Sequence, residues 1–221
     1  MSCFQPRAED LPAEFAVFPL EGALLLPRGK LPLNIFEPRY LAMTEDALGA
    51  GRMFGMIQPD PAGPPRPCGP ALYRVGCLGR LSSFSETDDG RYLITLTGVI
   101  RFSVAVELAM QRGYRRVRGD VSSYLADLHT EPHPITVERE ALVGALRGYF
   151  ARRGFEANWE AIRRIPDDML VITLAMICPF EQAEKQALLE AGTEADRAVA
   201  LLALLQMGAA APDDSAARRV S

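Results

Sequence analysis

The hydrophobic pattern divides the chain into two parts of different character. Between residues 12 and 125, short apolar runs alternate with proline and glycine, and the two longest runs, 73–87 and 91–106, flank Asp88-Asp89-Gly90. This tripeptide predicts a hairpin turn, because Asp and Gly tolerate positive φ. Between residues 134 and 208, apolar residues recur instead at helical spacing. Strands followed by helices predict an α+β fold rather than a parallel α/β sheet.

One helix is expected inside the β-rich part. Pro38 suits the first turn of a helix, where its missing N–H costs nothing, and Gly49 follows as an end signal. At the strand-to-helix joint we expect Phe36 and Tyr40 to lie in the core. The helical spacing then places three residues on the outward face, where they form a candidate peptide-binding site: Arg39, Met43 and Asp46. An exposed Met43 would be an adaptable apolar contact.

Local signals predict further boundaries along the chain. Gly98 interrupts the second long run and predicts a bulge or bend in that strand. Thr193 and Asp196 have the spacing of a capping box at the start of the final helix, and Gly208 is expected to end that helix. The sequence therefore predicts a β-rich subdomain over 12–125, a helical subdomain over 134–208 and a disordered tail over 209–221.

Composition and charge narrow the functional classes. The chain has 221 residues, 48% of them apolar, and a net charge of −4, whereas dedicated nucleic-acid binders usually carry a basic excess. Its four cysteines are far apart in sequence, so neither a disulfide framework nor a zinc ribbon is expected. We see no signal peptide, and the apolar run from Met169 to Cys178 is too short to span a bilayer. We expect a cytoplasmic protein that does not contact membranes.

A strip of arginines keeps one nucleic-acid alternative open. An RNA-binding surface could use four arginines of this strip: Arg112, Arg115, Arg116 and Arg118. The competing interpretation is a solvated strand face whose charge is balanced by the acidic remainder of the chain. We favour the second interpretation, so nucleic acid is an unlikely partner. For Arg101, which follows the glycine of the second long run, we expect pairing with a carboxylate.

The sequence predicts no metal, cofactor or catalytic residue. His129 and His133 flank a glutamate, but the prolines at 132 and 134 prevent a helix that would place both histidines on one face. Gly29-Lys30 lacks the upstream glycine of a phosphate loop. No nucleophile–base pattern stands out, and an undetected hydrolase remains the least supported alternative.

Four segments carry a family resemblance in order along the chain. They are Phe18-Pro-Leu-Glu-Gly-Ala-Leu-Leu-Leu-Pro-Arg-Gly-Lys-Leu-Pro-Leu-Asn-Ile-Phe-Glu-Pro-Arg-Tyr40, Val75-Gly76, Gly98-Val-Ile-Arg-Phe102, and Lys185-Gln-Ala-Leu-Leu-Glu190 with Ala195-Asp-Arg-Ala-Val-Ala-Leu-Leu. Together they resemble the Lon protease N-terminal, or substrate-binding, domain. The resemblance implies a PUA-like β pseudo-barrel followed by a helical bundle.

The same resemblance implies a function in recognition. We expect a bacterial, stand-alone domain, without the ATPase and serine-lysine peptidase parts of the protease, that binds protein or peptide segments or serves as an adaptor for unfolded or partner proteins. The alternative is a PUA-like RNA-binding module. The identity of the ligand and the oligomeric state stay open at this stage.

Overall fold

The structure is a computed structural model that describes residues 6–64, 66–129 and 138–210. It consists of two compact units. The first comprises Met1–Glu131 together with Met176–Glu190, and the second comprises Pro132–Ala175 together with Ala191–Ser221. Each unit is described by itself below.

The first unit contains a mixed six-stranded sheet. Its strands are β1 (Glu14–Pro19), β2 (Lys30–Ile35), β3 (Met53–Ile57), β4 (Val75–Glu86), β5 (Tyr92–Gln111) and β6 (Tyr114–Asp120). The strand order is β2-β5-β4-β3-β1-β6, and β6 pairs in addition with β5. Only β1 and β3 run parallel. The sheet therefore curls back towards β5 without closing into a regular barrel, which confirms the α+β class.

Strand β5 has an irregular register next to Gly98, which agrees with the bulge that the sequence predicted. Gly98 donates to the carbonyl of Gly29 and accepts from the N–H of Arg28, both at 2.8 Å. The register against β4 shifts between Leu78 and Gly79. A Cβ at Gly98 would lie 2.7 Å from the carbonyl carbon of Leu26, so the backbone of the 26–29 turn occupies the space of a side chain. Only glycine fits this approach.

An aromatic pair fills the core of the sheet. Phe15 and Phe102 meet edge to face with ring centroids 4.9 Å apart, and both are buried. Glycines on three strands make room for these two rings, because a Cβ on any of them would come within 3 Å of one ring: Gly55, Gly76 and Gly119. The alternation of small and large residues allows the curled strands to pack closely.

The described part of the chain contains six α-helices. They are α1 (Pro38–Gly49), α2 (Arg139–Arg153), α3 (Trp159–Arg164), α4 (Asp167–Ile177), α5 (Gln182–Glu190) and α6 (Glu194–Ala210). The predicted capping box at α6 is confirmed. Thr193 N–H donates to Asp196 Oδ2 at 3.0 Å, and Asp196 N–H donates to Thr193 Oγ1 at 3.1 Å. Along the described part of the chain, no helix has the length and apolar character required to cross a membrane.

The end of α6 corrects one boundary. The helix continues through Gly208 to Ala210, so the predicted stop at Gly208 is wrong and residues 209 and 210 are helical. The physical reason is packing, since Gly208 lies directly against the ring of Tyr149 and leaves space for it. The remainder of the predicted tail, 211–221, lies outside the described residues.

Helix α5 corrects the predicted division of the chain. The sequence assigned it to the helical subdomain over 134–208, but it belongs to the first unit. Gln186 donates to the carbonyl of Val75 at 3.1 Å and accepts from Gln58 at 3.0 Å. Lys185 donates to the carbonyl of Gly22. These side chains are buried, and buried polar groups need partners, which the β-rich unit supplies.

Candidate functional site

The outward face that the sequence predicted for α1 is only partly exposed. Arg39 is exposed, contacts Glu37 at 2.8 Å and places its guanidinium carbon 4.5 Å from the centroid of the Tyr40 ring. Met43, in contrast, is completely buried, so its predicted role as an exposed contact is wrong. Helix α1 packs against β6 as well as against β1 and β3, and therefore buries a wider arc than a single apolar stripe suggests.

Asp46, the third predicted residue, is engaged by the turn that joins β5 and β6. Its carboxylate accepts from Arg112 Nη1 at 2.7 Å, from Tyr114 Oη at 2.6 Å and from Gln111 Nε2 at 3.3 Å. Arg112 also contacts Glu45 at 2.8 Å. The hydrogen bond from Tyr114 and those from Arg112 and Gln111 lower the pKa of Asp46. Asp46 thus holds the turn between β5 and β6 against α1. The contact joins Asp46, from the predicted peptide-binding site, to Arg112, from the alternative RNA-binding site.

The other arginines of the predicted RNA strip also meet carboxylates. Arg116 and Arg118 contact Glu14 at 3.5 and 2.7 Å. Arg115 is buried and donates to Glu107 Oε1 at 2.7 Å and to the carbonyl of Pro70 at 2.7 Å, so the expectation of a fully solvated face is wrong for this residue. These ion pairs reduce the positive charge that the strip presents to a phosphate backbone.

Glu107 fixes the proline-rich loop to the sheet. Besides Arg115, it accepts from Arg66 at 2.9 Å and from the thiol of Cys68 at 3.3 Å. Burial alone would raise the pKa of Glu107, but the hydrogen bonds from Arg115, Cys68 and Arg66 outweigh burial and lower it. These contacts anchor the C-terminal end of the proline-rich segment 59–70.

Arg101 pairs with a carboxylate, as predicted. Its Nε and Nη2 donate to Asp127 Oδ2 and Oδ1, each at 2.8 Å, and its Nη1 donates to the carbonyl of Leu189 at 3.2 Å. The guanidinium carbon lies 4.9 Å from the centroid of the Tyr124 ring. This buried pair links β5 to α5 and is structural rather than directed at a ligand. The sequence did not reveal the partner, because Asp127 lies in a short 3-10 segment without a motif.

Exposed apolar side chains lie at one end of the sheet, where β2 ends and where β4 and β5 are joined. Phe36 is 64% exposed, so its predicted place in the core is wrong. It follows Ile35, which is buried, and alternation along a strand sends successive side chains to opposite sides. Leu93, 46% exposed, pairs in register with Asn34 of β2. Phe84, also exposed, lies on β4 with its ring 5.0 Å from that of Tyr92. Because Phe84 pairs in register with Ile94, the neighbour of Leu93, it points to the opposite face of the sheet. We call Phe36 and Leu93, which share one face, the apolar end of the sheet.

The described residues offer little for metal or nucleophilic chemistry. Within 6–64, 66–129 and 138–210, no group of three or more potential metal-ligating side chains occurs. His129 is exposed, and His133 lies outside the described residues. Burial raises the pKa of the Cys178 thiol to about 12, which keeps it protonated and poorly nucleophilic at neutral pH.

Comparison with solved structures identifies the fold. A Lon N-terminal domain protein from Xanthomonas campestris superimposes with a TM-score of 0.59 at 22% identity, covering 86% of this chain and 97% of that one. The N-terminal domain of Mycobacterium avium complex Lon protease gives a TM-score of 0.55 at 15% identity, covering 87% of this chain and 97% of that one. At these identities the likeness establishes the architecture alone.

Sequence relatives point in the same direction. Lon protease of Anaeromyxobacter dehalogenans is 26% identical over 136 residues, which are 60% of this chain and 16% of that protein. Lon protease 2 of Myxococcus xanthus is 28% identical over 112 residues, 51% of this chain and 13% of that protein. The chain thus spans a small part of the length of these relatives. The model of the ATP-dependent protease La (LON) substrate-binding domain matches residues 14–207, and this chain therefore belongs to that family.

Proposed function

We propose that this chain binds exposed apolar segments of other proteins and does not hydrolyse them. The family description, substrate-binding domain of a protease, supports a polypeptide ligand. The observation that carries the proposal is the apolar end of the sheet, where Phe36 and Leu93 are exposed on the same face. Exposed apolar groups that gather in one place are typical of interaction surfaces, whereas scattered single ones are not.

The energetics suit a weak, adaptable binding site. Full burial of one large apolar side chain contributes roughly 1.5–3 kcal/mol, and association costs several kcal/mol in lost freedom. Two such side chains on one face therefore favour modest affinity for many unfolded segments rather than tight affinity for one. Arg39 and Glu37, an exposed ion pair one turn from Phe36, provide a polar rim. This keeps Arg39, alone of the three predicted residues of α1, as a candidate contact.

A non-catalytic role completes the proposal. The 221 residues contain no phosphate-loop motif, since Gly29-Lys30 is followed by Leu31. We infer that the bound segment is presented to a partner, as an adaptor would do, and is released intact. To test this point, the chain is incubated with a reduced, carboxymethylated protein, and the mass of that protein is measured before and afterwards. Truncated products that form with this chain, but not with a variant of it, would contradict the proposal.

The binding test compares two exposed aliphatic residues of one strand. Leu93 and Val106 both lie on β5 and are 46% and 47% exposed. The dissociation constant for a fluorescent, carboxymethylated unfolded protein is measured by anisotropy. We expect Leu93→Ser to weaken binding by about tenfold, the equivalent of about 1.4 kcal/mol. Val106→Ser is the matched control and should leave affinity unchanged. Equal effects of both changes, or no binding by the unaltered chain, would contradict the proposal.

A further inference from the structure

Carboxylates pair with several arginines in each unit. In the first unit, every arginine of the strip 112–118 contacts a carboxylate. In the second unit, Arg139 pairs with Asp167 and Arg164 pairs with Glu160. Arg147 and Arg163 are exposed and have no carboxylate within ion-pair distance among the described residues. Positive charge that the protein leaves without an internal counter-ion is available to a ligand.

These two arginines flank an aromatic cluster. The Phe150 ring lies 6.1 Å from that of Trp159 and 5.9 Å from that of Phe155, which is 45% exposed. The guanidinium carbon of Arg147 lies 5.1 Å from the centroid of the Trp159 ring. Arg163 follows Trp159 by four residues on α3 and so shares its face. We call these five residues the α2–α3 surface.

Local structure holds this surface in place. Gly154, with φ of 66°, ends α2 in the left-handed conformation and turns the chain towards α3. Asn158 caps α3 by accepting from Ala161 N–H at 2.9 Å. Arg139, at the start of α2, donates to the carbonyls of Ile162 and Arg163 at 3.1 and 3.0 Å. A surface held at both ends loses little conformational freedom when a ligand binds.

The chemistry of the α2–α3 surface defines its ligand. Aromatic rings accept apolar side chains, and guanidinium groups bind carboxylates through two parallel hydrogen bonds. Residues 147–164 contain five arginines and two glutamates, while the whole chain has a net charge of −4, so this surface is a local positive region on an acidic protein. We propose that the α2–α3 surface binds polypeptide segments in which aspartate or glutamate alternates with aromatic or aliphatic residues. That the ligand is a polypeptide rests on the proposed function.

The single tryptophan of the chain makes this proposal directly testable. Trp159 is the only tryptophan, so its fluorescence reports on this surface and on no other. The full chain is titrated with tryptophan-free, dye-labelled 12-residue peptides: one of alternating Asp and Leu or Phe, one with Lys in place of Asp, and one with Ser in place of the apolar residues. We expect a change in Trp159 emission and binding at least about tenfold tighter for the first peptide than for the other two.

Variants localise the binding. The double variant Arg147→Gln/Arg163→Gln should weaken binding of the acidic–apolar peptide by about tenfold. The difference from the unaltered chain should be smaller at high salt. Arg118→Gln is the matched control, because Arg118 is also exposed but pairs with Glu14. Circular dichroism checks that each variant is folded.

The outcomes separate this proposal from the proposed function. If the carboxymethylated protein binds while Trp159 emission stays constant and the arginine variants behave like the controls, the α2–α3 surface is not a binding site, although the proposed function stands. If neither the peptides nor the carboxymethylated protein bind, both fail. A 12-residue oligouridine that binds more tightly than the acidic peptide, with loss on Arg147→Gln, would assign the surface to nucleic acid and overturn the proposal.

Discussion

Asp46 Oδ1 of α1 accepts a hydrogen bond of 2.7 Å from Arg112 Nη1 in the turn between β5 and β6. Both residues of that turn, Arg112 and Gly113, have positive φ, at 47° and 87°. A non-glycine residue in this region is strained by roughly 1–2 kcal/mol. The ion pair with Asp46 and that with Glu45 favour this conformation. Two residues that the sequence suggested for different ligands thus serve one structural contact.

Alkaline pH should weaken the contact between α1 and β6. Burial, then the hydrogen bond to Asp46, raises the pKa of Tyr114 to about 12 from its ordinary value of 10.0. A group whose pKa is raised in the folded state contributes stability that is complete below its unfolded pKa and is lost as the pH rises through the folded value. The free energy of unfolding should therefore fall between pH 10 and 12.

Urea denaturation across that pH range measures this loss. Burial also raises the pKa of Tyr40 and of Tyr92, so the wild-type slope contains their contributions. Tyr114→Phe isolates the contribution of Tyr114, since the variant should show a shallower decline above pH 10. It should also be less stable at pH 7 by about 1–2 kcal/mol, because the carboxylate loses a donor. An identical pH slope in both proteins would contradict the prediction.

The buried pair of Arg101 and Asp127 should be among the most sensitive contacts of the first unit. Arg101→Met leaves a buried carboxylate without its partner, which costs about 3–5 kcal/mol of stability. The double variant Arg101→Met/Asp127→Leu removes both charges and should recover most of that loss. Thermal unfolding of the two variants measures the difference. A double variant no more stable than the single one would show that the hydrogen bond to Leu189 O, not the charge pair, dominates.

Replacing Arg115 should reduce the free energy of unfolding more than replacing Arg116 or Arg118 on the same strand. Arg115→Ala removes a buried guanidinium that joins Glu107 to Pro70 O and should cost about 1–3 kcal/mol. Arg116→Ala and Arg118→Ala each remove a more exposed partner of Glu14 and should cost about 0–1 kcal/mol. Limited proteolysis gives a second measurement, because Arg115→Ala should expose the chain around residues 66–70 to cleavage. Equal stability of all three variants would be the contrary result.

Two glycine-to-alanine substitutions should change the free energy of unfolding in opposite directions. Gly98→Ala forces a methyl group onto the backbone at Leu26, which cannot yield as a flexible side chain could, and should cost at least about 3 kcal/mol. Gly144→Ala places the same methyl group in open space within α2 and should stabilise by up to about 1 kcal/mol, the difference in helix propensity. The midpoint of urea denaturation, compared at an unchanged dependence of the unfolding free energy on urea concentration, tests both predictions. Stabilisation by Gly98→Ala would refute the close approach.

Local signals in the sequence predicted where α1 and α6 begin and where the hairpin turns. Pro38 at the start of α1, the capping box of Thr193 and Asp196, and the hairpin turn at Gly90 act over a few residues, and their geometry follows from backbone sterics and local hydrogen bonds. The start of α1, the start of α6 and the turn between β4 and β5 were therefore predictable, whereas the end of α6 was not. The order of the family motifs likewise predicted the α+β fold.

Side-chain environments depended on contacts between distant segments. Met43 is buried in a helix that packs against three strands, among them β6, some 70 residues later in the sequence, whereas Phe36 is exposed. Arg115 and Arg101 find partners 45 and 88 residues away, at Pro70 and Leu189. The sequence by itself determined the elements and their family, through local rules of periodicity, capping and turns. The tertiary structure alone decided which charges are neutralised and which apolar groups face solvent, because both depend on packing between segments whose separation no local pattern records.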